Sequence, residues 1–196
     1  YSATVQDGTD WQNPTATRKK NVRPWNYITF DKAFSVSQEL YPGHSNLMSL
    51  SNYATTLNWL QKTEQIEISD VINDSSTWGN YRNSQFTIDE KDYAKYTSDG
   101  VNYSNVSGLS NYTKPLEVGY LFTTGASNYT NKNNIFDLAG SLSEFIIESN
   151  SNKQISMGSH YEQVSNFDHC AVSKWPNDND INIQGDKIGF RVVYYL

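Results

Sequence analysis

NNIFDLAGSLSEFIIE, residues 133–148, is the stretch whose reading decides the fold. Ile135, Phe136, Leu138, Phe145, Ile146 and Ile147 surround two acids, Asp137 and Glu144, and a small-residue break at Ala139-Gly140-Ser141. An active-site motif, a metal loop and a structural turn all begin from such a pattern. A calcium site needs several oxygen ligands, and the three carboxylates of the stretch, Asp137, Glu144 and Glu148, are well separated. We read it as fold-holding: Ile135, Leu138, Phe145 and Ile147 as core, and Glu144 as an acceptor for backbone donors in a turn.

Short strands are expected from this stretch to the end of the chain. Residues 143–148 and 154–159 are two candidates. The third is 187–195, where Ile188, Phe190, Val192 and Tyr194 alternate with Gly189, Arg191, Val193 and Tyr195. That period of two marks a strand inside a sheet. Toward the N-terminus the periodicity becomes helical. Phe30, Ala33, Phe34, Ser37 and Leu40 share a face in 29–41, which Pro42-Gly43 ends. Tyr53, Thr56, Leu57 and Leu60 share one in 52–63, with Asn52 as a capping residue. A short third piece is expected at 69–73. Residues 75–130 read as loop, rich in Gly, Asn, Ser, Asp and Tyr. A loop that long is either packed by its own aromatics (Trp78, Tyr81, Phe86, Tyr93, Tyr96) or carries function. Residues 1–24 read as an arm or linker and 25–196 as one domain.

Composition narrows the function. Fifteen basic residues against 21 acidic ones give a net charge of −6, which argues against a nucleic-acid partner. We read the basic run Arg18-Lys19-Lys20 as a solvated face. One cysteine, Cys170, excludes an intramolecular disulfide and a multi-cysteine zinc site. No apolar run is long enough for a transmembrane helix, so membrane insertion is not expected. The first residues carry no signal-like apolar stretch, and the chain is read as a mature or excised piece. Abundant Tyr, Asn and Ser suit a recognition surface, where Tyr gives contact area at low entropic cost.

Three blocks in order resemble one family. NNIFDLAGSLSEF looks like the N-I-Y-D-L-A-G-N-V-W-E-W segment of the formylglycine-generating-enzyme-like (sulfatase-modifying-factor) family. Gly158-Ser159 resembles that family's R-G-G-S strand, and the terminal IGFRVVYYL its closing G-F-R strand. NLMSLSNYATTLNWL, 46–60, more faintly resembles its R-L-P-T-E-A-E-W helix. The resemblance runs from about Pro24 to the end. It implies an α+β, C-type-lectin-like fold with two helices, a small twisted antiparallel sheet and much irregular loop. Catalytic members of the family use a cysteine pair for copper-dependent oxidation. The matching stretch here, HYEQVSNF, holds no cysteine, and soft sulfur ligation needs more than one. Ser141 replaces the family's Asn of a calcium site, and Phe145 its Trp. The resemblance therefore implies a non-catalytic relative without a required cofactor.

Other candidate chemistry is sparse. Asp178, Asp180 and Asn182 open like a calcium loop, but an EF-hand needs Gly and an acid where Ile183 and Gly189 stand. We read that loop as hydrated surface, with calcium a weak second reading. His44, His160 and His169 are read as surface or edge histidines, although His160 and His169 flank one loop and could pair.

Between the Gly-Ser strand and the closing strand lie loops that mix aromatics with polar and acidic groups. Such loops on rigid sheet commonly carry binding, and aromatic anchors commonly carry its energy. The candidate contact residues are His160, Tyr161, Glu162, Phe167, Asp168, His169, Trp175, Asn177, Asp178, Asn179, Asp180 and Asn182. The competing reading makes Phe167 and Trp175 core plugs. The layout also resembles the variable proteins of diversity-generating retroelements, which vary residues just before the closing strand by mutating adenines. Phe167, Asp168, His169, Asn177, Asp178, Asn179, Asp180 and Asn182 are residue types reachable that way, whereas Glu162, Gln163, Lys174 and Trp175 are not. The expectation is a receptor-recognition domain, extracellular on a bacterial surface or phage particle, whose partner is a protein or glycan on another cell. A divergent oxidase and a structural virion or surface component are the alternatives.

Overall fold

The computed structural model describes residues 5–7, 15–17, 20–63, 65–148, 154–175 and 185–195. Strands β1 (Val5–Asp7), β2 (Thr15–Thr17) and β3 (Arg23–Pro24) form a small antiparallel sheet in the order β2-β1-β3. Residues 20–24, expected as the end of an arm, are tied to the rest of the chain. The Asn21 amide donates to the Thr124 carbonyl at 2.8 Å, the Thr124 amide to the Val22 carbonyl at 3.0 Å, and Lys20 meets Glu90.

Helix α1 (Phe30–Glu39) starts where Thr29 accepts from the Lys32 amide. Strand β4 (Ser45–Leu47) leads into α2 (Leu50–Lys62). Ser49 caps α2, and Asn52 returns the bond to the Ser49 amide, so two orphan donors of the first turn are satisfied together. Ser49, not the expected Asn52, is the N-cap. The third piece is α3 (Ile68–Ile72), which makes three α-helices among the described residues rather than two.

Residues 75–130 are packed by their own aromatics. Phe86, Ile88, Ala94, Val106, Leu109, Phe122 and Ala126 form a separate core, with Tyr96, Tyr112, Tyr120 and Tyr129 against it. Phe86 stacks on Tyr129 with centroids 4.9 Å apart. Short strands β5 (Lys95–Thr97), β6 (Ser104–Asn105) and β7 (Leu121–Phe122) frame this core in the order β6-β5-β7. Lys114, fully buried, reaches under Phe86 and donates to the carbonyls of Ser84 (2.6 Å), Arg82 (3.2 Å) and Pro115 (3.3 Å). Trp78 and Tyr81 belong instead to the main core with Tyr53, Leu57, Leu60, Leu138 and Ile146. Tyr93 is 68% exposed and packs neither core.

The opening stretch is three turns followed by a strand. β8 (Asn131–Lys132) and β9 (Ile135–Phe136) pair across Asn133-Asn134, both at positive φ (51° and 63°). Two such residues make the tight hairpin turn that matches strand twist. Asp137 (φ 56°) and Gly140 (φ 76°) turn the chain again before β10 (Ser143–Ile147). A Cβ at Gly140 would lie 2.6 Å from Tyr81 Cδ2 and 2.8 Å from the Asn80 carbonyl carbon, so both the φ and the space require glycine.

β10 pairs antiparallel with β11 (Gln154–Met157), which pairs antiparallel with β12 (Lys174–Trp175). On its other edge β10 meets β13 (Ile188–Phe190) in parallel, Glu144 opposite Gly189. The sheet is therefore mixed, where a purely antiparallel one was expected. The terminal strand also divides. β14 (Val192–Tyr194) leaves β10 and pairs antiparallel with β4, Val193 opposite Asn46. Met48 closes the gap: its amide donates to the Arg191 carbonyl (3.0 Å) and its carbonyl accepts from the Ile147 amide (2.9 Å). The alternation expected over 187–195 stops at Arg191, which is buried at the break.

Candidate functional site

Glu144 and Arg191 sit where the terminal strand changes partner. Arg191 Nε donates to Glu144 Oε2 at 2.9 Å and Nη2 to Oε1 at 2.7 Å, and Nη2 also reaches the Phe136 carbonyl at 3.0 Å. Both side chains are 3% exposed. Glu144 thus accepts a guanidinium from inside a strand, not backbone donors in a turn as the sequence reading had it. Burial pushes its carboxyl pKa up while Arg191 opposes the rise. With both oxygens bonded to Arg191 it is a lock between strands. Asp137 is a second strut: it accepts from the Gly125 amide (3.0 Å) and Thr130 Oγ1 (2.7 Å).

A groove of about 260 Å³ lies between α2 and β14. Met48, Asn52, Thr55, Ile135, Leu138 and Val193 are among its lining residues, and its one charged residue is Arg191, already held by Glu144. None of the described candidate contact residues lines it.

Those candidates divide by burial. Tyr161, expected as an exposed anchor, is fully buried, and its hydroxyl donates to Asp186 Oδ2 at 3.0 Å. His160 is 3% exposed rather than at the surface. The Glu162 amide donates to its Nδ1 at 3.4 Å, which requires that nitrogen to be unprotonated. Burial, then the charge of Lys187, lowers the His160 pKa to about 4, so the ring is neutral near pH 7. His169 acts on it only weakly, after Asp186. Glu162 is half-buried and pairs with Lys187 at 2.5 Å. These residues hold the 160–162 turn against 186–187.

Phe167 differs: it is 74% exposed, so it is no core plug. Asn166, Phe167, Asp168 and His169 form a turn in which the His169 amide donates to the Asn166 carbonyl at 3.0 Å. Asn166 Oδ1 also accepts from the amides of Asp168 and His169, each at 3.0 Å. Asn is suited to this by a side chain that mimics a backbone turn. Both ends of the turn are anchored. Ser165 Oγ accepts from the Ser75 amide (2.7 Å), Asn83 Oδ1 accepts from the Ser165 amide (2.8 Å), and Ser75 Oγ accepts from the Ala171 amide (2.9 Å). Below it the Tyr53 hydroxyl donates to the Ala171 carbonyl at 2.8 Å. Cys170 is fully buried, its Sγ 3.7 Å from the Phe167 carbonyl.

The sequence reading named Phe167, Asp168 and His169 together, and the structure joins them in one turn. It missed the anchors Ser75, Asn83 and Ser165, which lie 82 to 96 positions away from their partners and leave no local pattern. Asn177, Asp178, Asn179, Asp180, Asn182 and the Trp175 side chain lie outside the described residues. Among the described residues no group of three or more His, Cys, Asp or Glu could hold a metal ion, and no helix is long and apolar enough to cross a membrane. No family model, curated protein or solved structure matches the chain.

Proposed function

We propose that the chain is a non-catalytic ligand-binding domain that displays the 160–187 loops to a protein or glycan on another surface. The observation that carries this is Phe167, a large apolar side chain fixed outward at the corner of an anchored turn. Burying a phenylalanine is worth about 1.5–3 kcal/mol. A lone exposed apolar residue is ordinary on a protein surface. One on a turn held from both ends is preorganised, and preorganisation lowers the ordering cost of binding. The C-type-lectin-like arrangement is part of the same proposal. It is supported by the two longer helices α1 and α2, the C-terminal strand β13 joining the small sheet at β10, and the irregular 75–130 segment, while the parallel pairing of β10 with β13 departs from it. In this reading the domain needs no cofactor, Cys170 has no catalytic part, and the setting is a bacterial surface or a phage particle. Variation of the loops by a retroelement would place Phe167, Asp168 and His169 among the changing positions.

The test is a glycan and protein binding screen with the wild-type chain and Phe167→Ala, both checked by thermal unfolding. Binding lost in the variant at unchanged melting temperature supports the reading. Targets bound equally by both, or copper- and thiol-dependent oxygen uptake that disappears in Cys170→Ser, would overturn it.

A further inference from the structure

Phe167 and Asp168 occupy the two corner positions of the Asn166–His169 turn, and both are exposed. Among the described residues of 160–187, Glu162 pairs with Lys187 and Lys174 with Glu148. Asp186 accepts from Tyr161. Among the described residues the Asp168 side chain has no bond or ion pair, although its own amide is fixed to Asn166. The tip therefore joins an uncommitted carboxylate to an open aromatic face. The two side chains belong to consecutive residues, and a cation suits each of them: it pairs with a carboxylate and lies against the negative face of a ring. A guanidinium fits best, since it is planar, weakly hydrated and stacks on aromatics. An anionic partner would meet Asp168 directly and a chain of net charge −6 behind it.

We infer that the Phe167–Asp168 corner receives an arginine side chain of a basic protein surface. This rests on the binding reading above and specifies its partner. The aromatic face supplies contact area, and the carboxylate selects charge. The attraction is salt-sensitive, since both groups are exposed and the Debye length shortens to about 3 Å at 1 M salt.

The experiment is a titration of the ¹⁵N-labelled full chain with three probes: a Gly-Arg-Gly-Arg-Gly peptide, its Glu counterpart, and a neutral oligosaccharide mixture. Backbone signals of residues 166–169 are the readout. The arginine peptide is expected to shift them in a saturable way, about two- to five-fold more weakly in Asp168→Asn and again in Phe167→Ala. Such factors are expected when one exposed charge or cation–π contact is lost. Shifts should fade at high salt. Equal titration of Asp168→Asn and wild type overturns the inference, as do equal shifts from the Glu peptide. Shifts from the oligosaccharides alone overturn the charge preference and leave the binding reading standing. Failure of all three probes, with screened targets still bound by Phe167→Ala, overturns both.

Discussion

Glu144→Ala should be the most damaging single change at the strand junction. It removes the carboxylate bonded to Nε and Nη2 of Arg191 and leaves a guanidinium 3% exposed. Removing one partner of a buried ion pair costs about 3–5 kcal/mol, because the remaining charge stays desolvated. For a chain of 196 residues each kcal/mol lowers the melting temperature by about 2–4 °C. The expected loss is therefore about 6–20 °C. Asp137 also favours the charged guanidinium, but the Gly125 amide and Thr130 hydroxyl hold its carboxylate in place. Urea unfolding of wild type, Glu144→Ala, and a Glu144→Leu/Arg191→Met double variant gives the comparison. Apolar replacement of a whole buried pair is often neutral or stabilising, so the double variant should recover most of the loss. The single-variant loss should hardly change with salt, because buried pairs are screened little. A single-variant cost below about 1 kcal/mol would refute the argument, since it falls short of the cost of removing one partner of a buried ion pair. So would a double variant no better than the single one.

Acid should weaken the fold through His160. Its folded pKa of about 4 lies below the 6.5 of a free imidazole, so between those values the unfolded chain binds more protons and stability falls as pH falls. That window limits the effect to roughly 3 kcal/mol. Glu144 and Asp137, whose pKa values burial raises, act in the opposite sense. The check is the difference in melting temperature between wild type and His160→Gln from pH 7 to 4; parallel curves would remove His160 from the account. Lys114→Met should cost about 1–3 kcal/mol by leaving buried carbonyls without their donor. A more stable variant in urea unfolding would show that burying the charge outweighs its three bonds. Gly140→Ala should lower the melting temperature, as positive φ and the contact with Tyr81 both resist a Cβ; an unchanged value would contradict that geometry. Phe167→Ala should change stability by less than about 0.5 kcal/mol in the same assay, as expected for an exposed side chain.

How far the sequence spoke depended on the range of the interaction. The helices 29–41 and 52–63 were legible because one face of each repeats every third or fourth residue, and they appear as Phe30–Glu39 and Leu50–Lys62. The strands at 143–148 and 154–159 were legible from short apolar runs. The core roles of Leu138 and Phe145 followed from the same pattern, while Ile135 and Ile147 are partly buried. Asn133-Asn134 was a local turn signal the reading passed over. Of the candidate site, Phe167 stood out by type, but Tyr161 looked equally promising. Nothing local distinguishes an aromatic that turns inward to Asp186 from one held outward.

The sequence by itself determined the α+β class, the positions of the main elements and the excess of acid over base. Those follow from periodicity, turn chemistry and composition, all of which act within a few residues. Only the tertiary structure decided that the terminal strand divides at Arg191, that Glu144 answers it across the sheet, and that the 165–171 turn is fastened to Ser75 and Asn83. Each of those depends on groups 45 to 149 positions apart in the chain. Their meeting is set by how the cores pack, and no local pattern in the sequence records it.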